Sequence, residues 1–203
     1  RRRVDAARPQ GPLVLDPVRL RGERPLEADE RTRLESFFET ARAQYGFGKA
    51  VELTLAAVLQ TPQFLYRLEF SADGADEHGA IPLSDWEIAT RLSYFVTGSM
   101  PDETLFSLAE QGALADPDVI EAQARRLLGT ERARRMVVAF HSQWLDLGRL
   151  DQTSKDSAQF SEWNEALKGS MRAETERFVE HHVFEGAGTL RALLTSSTTF
   201  VDA

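Results

Sequence analysis

The sequence predicts an all-α fold: an irregular multi-helix bundle of about nine helices with no substantial sheet. Three observations carry this. Apolar residues recur at three- and four-residue spacing through most of the chain. Ser, Thr, Asp and Gly stand where helices start and stop. No segment alternates apolar and polar residues at the spacing of repeated strands. The chain has 203 residues and a mass of 22.7 kDa, enough to bury roughly 70% of its unfolded surface without a disulfide or metal staple.

Residues 1–25 read as a flexible Arg/Pro-rich arm, broken by Pro9, Gly11, Pro12 and Pro17. The first helix is expected over Leu26–Tyr45, with Leu34, Phe37, Phe38 and Ala41 inward and Gly46 at its end. A second, Lys49–Gln60, carries Val51, Leu55, Val58 and Leu59. Thr61–Pro62 restarts the helix, threonine as cap and proline in the first turn, so that Phe64, Leu65 and Leu68 face inward. These elements form an N-terminal hairpin subdomain, 26–70, followed by a polar linker over 71–83.

The main helical domain is expected over 84–203. Ser84 with Glu87 is a capping box, and its helix runs to Gly98 carrying Trp86, Ala89, Leu92 and Val96. Short helices follow over Asp102–Gln111 and from Asp116–Pro117 to Gly129. Thr130 opens a long helix through Leu147, with Met136, Val137, Phe140 and Trp144 on one side. Residues 149–160 read as polar connector. Ser161 is expected to cap a helix through Glu185, and a last short helix spans Thr189–Leu194. Thr198–Val201 is β-prone without a visible partner.

Composition excludes several functions. There is no cysteine, which removes thiolate catalysis, disulfides and iron–sulfur ligation within this chain. The net charge is -8, and residues 1–24 hold seven arginines against three acids, so the rest of the chain carries -12. An acidic body lacks the positive footprint that nucleic acid requires, and no nucleic-acid partner is expected. The apolar stretches are too short to span a bilayer, so no transmembrane segment is expected. No phosphate loop, dinucleotide fingerprint or Gly-x-Ser-x-Gly elbow is present.

The candidates for chemistry are few. Four histidines are the whole imidazole supply: His78, His141, His181 and His182. His141 lies mid-helix, and its same-face neighbours Val137, Val138, Trp144 and Leu145 cannot ligate a metal. The densest polar cluster is Glu174, Glu176, Arg177, Glu180, His181 and His182. The Glu-x-x-His pairing of di-iron bundles fails there, because Phe178 and Val179 stand at that offset. No metal site is expected; His181 with Glu174 comes nearest to a ligand pair. Glu69 and Arg91 interrupt apolar pattern, and a charge facing a core needs a partner. They are expected to form a structural ion pair between hairpin and body. Trp86, Trp144 and Trp163 read as core aromatics, and the Arg125–Arg135 run as a solvated face.

Several stretches carry a family resemblance: Leu55–Glu69, Leu83–Phe95, Gly98-Ser99-Met100-Pro101-Asp102, Phe140-His141-Ser142-Gln143-Trp144-Leu145, Glu174-Thr175-Glu176-Arg177-Phe178 and Thr198-Thr199-Phe200-Val201. They are similar to the family catalogued as domain of unknown function 1592, found in planctomycetes and myxobacteria. Part of its usual upstream neighbour, domain of unknown function 1595, covers roughly 26–70. The positions carried over as family marks are Arg67, Glu69, Arg91, His141, Gln143, Trp144, Glu174 and Arg177. The resemblance implies a multidomain, exported protein, periplasmic or otherwise extracytoplasmic, associated with cytochrome c. It puts any haem in a neighbouring domain, since Cys-x-x-Cys-His is absent here. The chain is therefore expected to be a fragment, truncated at its C-terminus, with no cofactor of its own.

Two function classes compete, with a third behind them. A scaffold or interaction domain, partnered by other domains of the same polypeptide, would pair its polar family residues internally and hold no deep polar cavity. Part of a hydrolase or oxidoreductase would bring Arg91, His141 and Glu174 to one pocket. A ligand- or polymer-binding module would use exposed Trp86 or Trp163.

Overall fold

The computed structural model describes residues 24–66, 69, 75 and 77–201. The arm before residue 24, Arg67 and most of the linker before Glu77 lie outside the described residues. Among those described, the fold is all-α with no strand. The helices are α1 Ala28–Tyr45, α2 Phe47–Leu59, α3 Pro62–Leu65, α4 Asp85–Thr97, α5 Glu103–Glu110, α6 Pro117–Leu128, α7 Glu131–Trp144, α8 Arg149–Gln152, α9 Glu165–Glu180 and α10 Leu190–Thr195. A 3-10 turn follows α5 at Ala113–Ala115, and a π-helical turn, His181–Glu185, extends α9. No described helix is long and apolar enough to cross a membrane.

The chain divides into two compact units, Arg1–Arg91 with Met100–Asp116, and Leu92–Ser99 with Pro117–Ala203. In the first, α1 and α2 form a tight helical hairpin. Phe38, Ala41 and Ala50 are its buried centre, with Phe47, Val51 and Leu53 packed around them. The Phe38 and Phe47 rings meet edge to face at 5.8 Å. Gly46 makes the reversal. At φ +82° it takes a backbone conformation that a side chain resists, while its N–H bonds Arg42 O and its C=O accepts from Ala50 N. Arg24 fastens the start of α1 by two hydrogen bonds to Glu30, at 2.8 and 2.9 Å.

Elsewhere in this unit the capping box at α4 forms as its spacing dictates. Ser84 N–H donates to Glu87 Oε2 at 2.8 Å, and Glu87 N–H to Ser84 Oγ at 3.3 Å. Asp85, the next residue, accepts from Leu114 N–H at 2.6 Å, tying α4 to the 3-10 turn. Leu105, Phe106 and Ala109 of α5 are buried beside it, and Phe106 packs against Trp86 at 6.3 Å.

In the second unit α7 and α9 are the framework. Thr130 caps α7 by accepting from Ala133 N–H. The cap of α9 is Asn164, accepting from Leu167 N–H at 2.9 Å, and not the expected Ser161. Both residues suit the role, but only Asn164 sits where the chain leaves the extended region and enters the helix. The expected connector over 149–160 contains a helical turn, α8, held to α9 by Asp151 with Arg172 at 2.8 Å. Leu127, Ala133 and Val179 are buried here.

Several residues expected inside are outside. Phe37, Leu55, Leu59, Leu65 and Trp144 are exposed. Each lies on or at the edge of a correctly placed apolar stripe that the described residues leave largely open to water.

Candidate functional site

A concavity lies between α7 and α9. It arises where small residues face each other, Ala139 and Ser142 on α7 against Ala173 on α9, with Gly148 at one end. Side chains too short to interdigitate leave about 870 Å3 open. Along α7 the lining continues through Glu131, Arg134, Arg135, Val138 and Gln143 to Asp146. From α9 come Glu176, Arg177 and Glu180.

The charges fall into two groups. At one end Arg134 meets Glu180 at 3.4 Å, and its guanidinium lies over the Phe184 ring at 4.8 Å. Arg135 pairs with Glu131 at 3.4 Å, one turn apart on α7. Toward the other end Gln143, Asp146, Glu176 and Arg177 have no side-chain partner among the described residues. Asp146 follows the last turn of α7 at φ +52°, a conformation aspartate tolerates better than most residues.

The expected site residues are placed as follows. Arg91 Nη1 lies 3.7 Å from Glu69 Oε2, but both side chains are open to water, 65% and 43% exposed. This pair therefore answers no burial penalty, and exposed pairs of this kind contribute about 0–1 kcal/mol. His141 is half-buried; its Nδ1 is 2.8 Å from Val137 O, and its ring meets those of Phe140 and Trp144 edge-on. Glu174 accepts a hydrogen bond from the Thr199 hydroxyl. His181 Nδ1 is 3.0 Å from Glu185 Oε2. His182 is buried, stacked on Phe178 at 4.1 Å, with Nδ1 on Phe178 O. None of Arg91, His141 and Glu174 lines the α7–α9 groove, so the pocket expected of an enzyme does not form from them. The family-marked Gln143 and Arg177 do line it, without side-chain partners among the described residues, where a scaffold was expected to pair its polar family residues. No group of three or more His, Asp or Glu placed to hold a metal occurs among the described residues.

The tryptophans divide. Trp163 donates to Thr153 O at 3.1 Å and is partly covered, with Lys155 and Lys168 over its ring. Trp144 is 53% exposed and lies nearly parallel to Phe140, itself 56% exposed, at 6.4 Å. The groove itself was missed in the sequence. Its signal is small residues at helical spacing, Ala139 with Ser142, and that pattern marks a close approach only when the facing helix is known.

Helices without strands among the described residues define an all-α protein. The chain belongs to the family described as PSD4, Protein of unknown function (DUF1592), whose model matches residues 83–203. A second family model, PSD5, Protein of unknown function (DUF1595), matches residues 21–69. No curated protein and no solved structure matches the chain.

Proposed function

We propose that the chain is a scaffold or interaction domain of a larger exported, redox-associated bacterial protein, and that it docks other domains of that polypeptide through α7. The observation that carries this is the Phe140–Trp144 pair. Two large aromatic rings, one helical turn apart and inclined by only 22°, are each more than half open to water. Leu145, the next residue in the chain, is also exposed. Contiguous apolar surface of this kind marks interaction sites, and aromatic residues supply most of the energy where proteins meet. His141 is held beside the pair by its bond to Val137 O, so the patch is preorganised. The export, the periplasmic setting and a haem in a neighbouring domain follow from the family resemblance and belong to the same proposal.

The test is association in trans. The chain and the flanking domains of the full-length protein are produced separately and titrated by calorimetry. Binding with a negative heat-capacity change is expected, and Phe140→Ala with Trp144→Ala should weaken it by at least tenfold. Flanking domains that never bind, or that bind the double variant equally well, would refute the reading.

A further inference from the structure

The geometry points to a second site in the α7–α9 groove, one that binds a neutral polyhydroxylated ligand, a saccharide. This goes beyond the docking proposal and is independent of it. Phe140 and Trp144 lie two residues from Val138 and Ser142, and about 100° per residue puts the aromatic pair on the opposite side of α7 from the groove.

Size and chemistry argue for the ligand class. A volume of about 870 Å3 falls within the range of small-molecule sites, about 300–1,000 Å3. Nine of the thirteen residues that line it carry polar or charged side chains, so a ligand that fills it meets hydrogen-bonding groups along with short apolar patches. Charge narrows the choice. The lining holds four carboxylates and three guanidinium groups. The count leaves a net charge of only -1, too little to select a strongly charged ligand of either sign. Two acid–arginine pairs are already made at one end. What remains is a set of unpaired donors and acceptors: the Gln143 amide and Ser142 hydroxyl, which do both, the Asp146 and Glu176 carboxylates, which accept, and the Arg177 guanidinium, which donates. A ring of hydroxyls donates and accepts at once and brings no net charge. It satisfies such a set, while Val138, Ala139 and Ala173 offer short apolar contact to its carbon faces.

The test uses the whole chain, labelled for nuclear magnetic resonance and titrated with neutral cello-, xylo- and malto-oligosaccharides. Binding of at least one series is expected, with shifted amide resonances in α7 and α9. Arg177→Ala and Glu176→Gln, both in solvent-reached positions and checked for folding by circular dichroism, should each weaken it roughly tenfold. Phe140→Ala with Trp144→Ala should leave it unchanged, which separates this site from the docking face. The inference is overturned if no neutral series shifts the spectrum, if the groove variants bind as the parent does, or if an oligouronate or a free amino acid binds more tightly than every neutral sugar.

Discussion

At the scale of single residues, the titration of the Glu30 carboxylate bears on stability. Its hydrogen bonds from Arg24 hold its carboxyl below the usual glutamate range, against a smaller opposing effect of burial. A lowered folded-state value means stability that is present above the ordinary glutamate value and lost as pH falls through the folded one. Acid titration of unfolding should therefore show a loss beginning near the ordinary value of 4.5, and Glu30→Gln should flatten that limb. An unchanged acid limb in the variant would disprove the assignment. Thr54 gives a second case. It is buried in α2, and its hydroxyl has no partner among the described residues. Thr54→Val keeps the shape and removes the stranded group, so it should raise stability by about 1 kcal/mol in a urea melt.

At the scale of elements, two glycines should respond oppositely to alanine. Gly98 ends α4 at φ +65°, and an added Cβ would stand 3.1 Å from Met136 Sδ. Gly98→Ala forces an L side chain into the left-handed region and should cost about 1–2 kcal/mol. Gly169 lies within α9 with nothing within 4 Å of the added carbon. Gly169→Ala should stabilise by about 0.5–1 kcal/mol, because the glycine is left free in the unfolded chain and gains nothing in the helix. Thermal melts of the pair, read side by side, check both signs.

At the scale of the whole molecule, the exposed aromatic pair separates stability from association. Phe140 and Trp144 pack little, so replacing both by alanine should shift stability by no more than about 0.5–1 kcal/mol while weakening the proposed docking at least tenfold. A large loss of stability would instead assign the pair to a core.

The sequence by itself determined the helices, most of their caps, the absence of strands among the described residues and the family. These rest on local chemistry: Ser84 finds Glu87 three residues on, Gly46 turns the chain where it stands, and an apolar stripe needs only its own spacing. The tertiary structure alone decided which stripes are covered and where a groove opens. Phe38 and Phe140 stand in equally plausible patterns, yet Phe38 is sealed by α2 and Phe140 faces water. The α7–α9 groove joins residues some forty positions apart, and Glu174 takes its hydroxyl partner from Thr199. Periodicity states which face of a helix is apolar; only a remote segment arriving against that face, or failing to, decides whether water is excluded.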